Sequence, residues 1–137
     1  MKKKTTIVLG VSVCLLIGLG AVYNFMLRAQ AIERAAPVFN DAANRCSISE
    51  GIPQKVGCLL AEGTKAMDHD NRLATKLLLL GIKTLGDSYR NENYVDDTGQ
   101  KLVLAKIKHD EGEFVASAHL YQSVLKSRLI MLDALRR

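Results

Sequence analysis

The sequence has no tryptophan, only two prolines and 5% aromatic residues. No stretch alternates polar and apolar residues for long enough to make a defensible strand, and leucine and alanine dominate, so helix is favoured over sheet. Catalytic motifs are missing as well. No serine lies in a Gly-x-Ser-x-Gly elbow, and no Gly-rich phosphate loop or Walker motif occurs. There is no Cys-x-x-Cys pair, no EF-hand spacing and no Asn-x-Ser/Thr acceptor. Strong charge of one sign is missing from most of the chain. The 19 basic residues exceed the 14 acidic ones, but Lys2, Lys3, Lys4 and Arg28 all precede Ala29. The remainder is nearly neutral, which excludes nucleic-acid binding by a broad basic surface.

What is present is most pronounced at the N-terminus. Thr5 to Leu27 runs for 23 residues without a charge. As a helix it would reach about 34 Å, against a bilayer core of roughly 30 Å. The spacing predicts a short basic tail at 1–4 and a transmembrane helix at 5–27. The lysine excess on the N-terminal side places that end in the cytoplasm. Tyr23 and Phe25 fall near the outer end of the span, where interfacial aromatics are favoured. The expectation is a single-pass protein of the bacterial inner membrane with its C-terminal domain in the periplasm. Two alternatives stay open. One is a signal peptide cleaved after Ala29-Gln30-Ala31 or Gly18-Leu19-Gly20, although its apolar core would be long. The other is lipidation at Cys14, within a loose lipobox.

Of three cysteines, Cys46 and Cys58 lie beyond this segment, twelve residues apart, with a turn between them. In an oxidising compartment they form a disulfide candidate. The competing reading is two buried thiols acting as small apolar side chains.

The rest reads as antiparallel helices, an all-α fold. A juxtamembrane helix and turn occupy 28–52, with Pro37 interrupting or restarting the helix. A helical-hairpin domain fills 53–137. Pro53 opens its first helix, and Val56, Leu59, Leu60, Gly63 and Met67 have helical spacing. Asp70 is a good N-cap for the next helix, and Gly86 a plausible stop. Asp87 to Gly99 reads as a polar loop or as a frayed extension of the previous helix. Helices follow at Gln100–His109 and Glu113–Leu135, separated by a turn at Gly112.

Residues 101–128 resemble one tetratricopeptide repeat, a 34-residue helix-turn-helix unit. Leu104 and Ala105 match its first helix, and Gly112-Glu113-Phe114 its turn. Ser117, Tyr121 and Val124-Leu125 match its second helix. Residues 55–86 look like a weaker copy. Lys101 and Lys108 depart from the pattern, standing where large apolar residues are usual. The resemblance implies a protein- or peptide-binding scaffold without catalytic residues, in which the first helices share one concave face. Lys65, Lys101 and Lys108 would lie on that face and could receive an acidic partner, or could simply be solvated with their stems packed.

Histidines offer little chemistry. His69 sits among capping residues. His109 and His119 flank the Gly112 turn with no third ligand evident. No cofactor or metal is expected. The functional expectation is a non-catalytic, membrane-anchored scaffold or adaptor for other envelope proteins or peptides, as in a secretion, conjugation, pilus or division assembly. The alternative is a small exported binder, an inhibitor or chaperone, released by cleavage.

Overall fold

The computed structural model describes the backbone of residues 2–90 and 96–137, and the side chains of 18–30, 36–90 and 96–137. Among these residues there are five α-helices and no strand: α1 Lys2–Ser47, α2 Ile52–Ala66, α3 Asn71–Leu85, α4 Thr98–Asp110 and α5 Phe114–Ala134. The chain divides into two units, Met1–Pro37 and Val38–Arg137.

In the first unit the helix carries Leu19, Val22, Tyr23, Phe25, Met26 and Leu27 exposed. The transmembrane expectation is corrected here. Among the described residues no helix is long and apolar enough to cross a membrane. Helix α1 does not end at Leu27 but continues to Ser47. Single-pass inner-membrane localisation, which depended on that span, falls with it. The side chains of residues 5–17, including Cys14, and those of Lys2 to Lys4 lie outside the described set, as does Ala31 of the cleavage motif. Pro37 does not interrupt the helix as expected; it lies inside α1.

The second unit is an all-helical bundle of packed hairpins. Local chemistry sets its helix ends. Gly51, with φ 80°, precedes α2, whose first turn carries Pro53. The Asp70 carboxylate accepts the amides of Arg72 and Leu73, both at 3.0 Å, and so caps α3. Gly86, with φ 53°, ends α3 in a conformation that costs glycine little. At the second hairpin Gly112 has φ 82°, and the Glu113 amide returns to the Lys108 carbonyl at 2.9 Å.

Helix α2 packs antiparallel on α3, and α4 antiparallel on α5. The hairpins are joined through α5, which packs on both α3 and α2. Val56, Leu77, Leu78, Leu85, Val124 and Leu125 form the sealed centre. Two glycines set its closest approaches. A Cβ on Gly63 would lie 2.7 Å from Leu78 Cγ, and one on Gly81 would lie 2.7 Å from Leu125 Cδ2. A larger residue at Gly63 would force α2 and α3 apart or displace Leu78, and one at Gly81 would require the end of Leu125 to shift.

The last turn of α1 joins this unit. Cys46 and Cys58 form a disulfide, with Cα atoms 5.4 Å apart. Cys46 and Ala42 are buried, and Arg45 donates to Glu62 at 3.0 Å.

Candidate functional site

The packing order leaves one side of the second hairpin uncovered. Helix α4 packs on α5, but α3 and α4 are not a packed pair. The Arg72 guanidinium lies 4.6 Å above the Phe114 ring, which places the N-terminal end of α3 beside the α4–α5 turn. Helices α3 and α4 therefore stand antiparallel on either side of α5 and enclose a groove of about 530 Å³. That size is typical of a binding cleft. Lys76, Leu79 and Lys83 form the α3 wall; Leu102, Val103, Lys106, His109 and Asp110 form the α4 wall; Tyr121 closes the floor.

Helix α4 is unusual in what it exposes. Only Thr98 and Ala105 are buried along it, whereas Val103 is 62% exposed, Leu104 44% and Ile107 46%. Val103 and Ile107 are four apart, one above the other on the helix side away from Ala105. An apolar surface thus runs from the groove over the outer face of α4. Its rim is basic. Lys76, Lys83 and Lys106 are exposed, and none joins an ion pair among the described residues. Burial, followed by the nearby charge of Asp110, pushes the Tyr121 phenol above its ordinary value. Tyr121 therefore stays neutral and acts as an apolar floor.

The lysines singled out from sequence lie elsewhere. Lys65 is exposed in the last turn of α2. Lys101 pairs with Asp97 at 3.8 Å. The Lys108 amine sits between Glu111 at 2.9 Å and Glu113 at 3.0 Å, and hydrogen bonds to both raise its pKa. It ties down the α4–α5 turn. Helices α2 and α4 are not a packed pair, so these three do not line one face formed by packed first helices. The histidines are not brought together as ligands. His109 meets Phe114 edge-on, with ring centroids 5.3 Å apart, while His119 is exposed. Among the described residues no group of three His, Cys, Asp or Glu could hold a metal ion.

Sequence reasoning missed a buried polar network behind the groove. Arg128, on α5, donates from Nε to the Thr98 hydroxyl at 2.8 Å and covers the Tyr89 ring at 4.6 Å. The Tyr89 hydroxyl donates to Asp96 at 2.8 Å, and the Thr98 amide donates to Asp96 at 2.9 Å. The Thr98 hydroxyl also donates to Asp96. Tyr89, Thr98 and Arg128 are all buried. This network fixes the start of α4 and hence the far wall of the groove. The available signal was slight: an Arg within the apolar face of the last helix.

Partial burial acts to raise the Asp96 carboxyl. Hydrogen bonds from the Thr98 side chain, Tyr89 and the Thr98 amide, with the Arg128 charge, outweigh it and hold the pKa below the ordinary 3.8. A depressed folded pKa contributes stability that is present above the unfolded value and lost as pH falls through the folded one. Asp96→Asn should therefore be less stable than wild type at pH 7. The gap in urea midpoint should shrink once the pH drops below about 4. A gap that stays constant from pH 7 to 2.5 would show that the Asp96 charge contributes nothing.

Comparison with protein-family models, curated proteins and solved structures finds no match for this chain.

Proposed function

We propose that this chain is a non-catalytic helical scaffold that captures a segment of another protein in the groove between α3 and α4. The observation that carries this reading is the uncovered apolar surface of α4, continuous with a cleft whose walls do not pack on each other. Groups of this kind serve recognition: apolar area supplies attraction, and a few placed charges orient the guest. The packed helix pairs are compatible with a helical-hairpin scaffold, and the groove lies between the second helix of one hairpin and the first of the next. The disulfide supports maturation where thiols are oxidised.

The test is site-specific photocrosslinking in the native cell. A benzophenone side chain at Val103 should give a discrete protein adduct whose cross-linked peptide maps to one partner segment. The same group at Gln54, exposed on α2, should not give that adduct. Equal adduct patterns at both positions, or none at Val103, would remove the reading.

A further inference from the structure

Resting on that reading, we infer that the occupant of the groove is an acidic amphipathic helix from a different protein, held by about two turns of its length. The α3 wall runs from Thr75 to Lys83 and the α4 wall from Leu102 to Asp110. Each spans eight residue steps, about 12 Å, so a guest helix lying along the groove presents about two turns to it. Over two turns an amphipathic helix offers apolar residues at i, i+3 or i+4, and i+7. Leu79, Leu102, Val103 and Tyr121 give those residues an apolar bed.

The rim sets the charge of the guest. Lys76 and Lys83 are seven apart on α3, hence on one side of that helix and about 10.5 Å apart along it. Lys106 lies on the opposite wall, between them in height because α3 and α4 run antiparallel. Three amines with no ion-pair partner among the described residues flank one apolar stripe and match a guest with carboxylates on both shoulders of its apolar face. Asp110 is the one acidic side chain in the lining. A second copy of this chain does not supply such a guest. Helix α1 carries two acids, Glu33 and Asp41, eight apart and so more than two turns from each other; α2 carries only Glu62, α3 none, α4 only Asp110 and α5 only Asp133. A basic guest would bring like charges together on both walls, which discriminates against it.

The experiment uses the full chain and two synthetic 18-residue helices with the same leucine stripe. One peptide has Glu on both shoulders and the other has Lys. Fluorescence anisotropy at low salt should show the Glu peptide binding at least tenfold more tightly than the Lys peptide. Its affinity should fall as salt rises. Lys76→Glu, Lys83→Glu and Lys106→Glu together should invert the preference while melting stays near wild type, since all three are exposed. If that variant fails to fold, Lys76→Gln, Lys83→Gln and Lys106→Gln should abolish the preference without inverting it. Equal binding of both peptides overturns the acidic guest but leaves the apolar groove and the Val103 crosslink intact. No binding of either peptide overturns the helical guest. Self-association of the wild type that the charge reversal abolishes overturns a heterologous guest in favour of a second copy.

Discussion

Replacing Arg128 with alanine should cost about 3 kcal/mol of unfolding free energy, at the lower end of the range for breaking a buried charged pairing. Three losses combine. The Thr98 hydroxyl loses its charged donor, the Tyr89 ring loses its cover, and a cavity opens where the guanidinium and its stem were packed. The Arg128 side chain is 9% exposed and that of Asp96 28%, so the lost hydrogen bond and packing should outweigh the ion pair at 3.8 Å. Urea denaturation of wild type, Arg128→Ala, Asp96→Asn and the double variant would separate these contributions. The double variant should lose clearly less than the sum of the two singles, because both act on one network. A loss under about 1 kcal/mol for Arg128→Ala, well below what core truncations cost, would show that the network does not fix the start of α4. Peptide affinity should fall in Arg128→Ala even though no residue of the groove has changed, since the helix that forms the α4 wall begins at Thr98.

Removal of the disulfide should be almost as costly. Cys46→Ala with Cys58→Ala frees a loop of separation 12, worth about 3 kcal/mol on the chain-entropy account. For a domain near 100 residues that corresponds to a melting-temperature drop of roughly 12–24 °C. Alanine is preferred to serine at Cys46 because the site is buried and alanine places no polar atom there. Reducing agent should lower the wild-type melting temperature by a similar amount and leave the double variant unchanged. If wild type and variant melt within 2 °C of each other, the crosslink does not constrain the unfolded chain as assumed.

Sequence made the helix ends legible because capping is local. Asp70 needs only its own next three residues to hold the start of α3, and Gly86 only its own backbone to stop it. The Cys46–Cys58 pair was legible from spacing and an intervening turn. Packing order was not. Periodicity shows that each helix has an apolar side but not which neighbour covers it, so it could not show that α5 rather than α4 seats on the first hairpin. That choice leaves a groove between α3 and α4 whose rim carries Lys76, Lys83 and Lys106. Lys108 is held by Glu111, three residues on, and by Glu113, which reaches the amine only because Gly112 turns the chain back. The Arg128 network joins residues up to 39 positions apart in sequence, and no local pattern announces it. The apolar run at 5–27 shows the opposite error, where strong composition led to a topology that no described helix supports.

The seating of α5 on both α2 and α3 also bears on how the chain is made. Gln122 reaches back 58 residues to Thr64, and Leu125 completes the cover over Gly81. Contacts of such long sequence separation form late, because the intervening chain must be closed first. A ribosome that has emitted α2 and α3 has produced a hairpin whose leucine-rich side faces solvent until the segment after Phe114 emerges. Nascent chains at that stage are the sticky species, and a holdase that masks leucine surfaces would act there. Once α5 docks, α2, α3 and α5 should gain amide-exchange protection together, as one cooperative unit, rather than hairpin by hairpin.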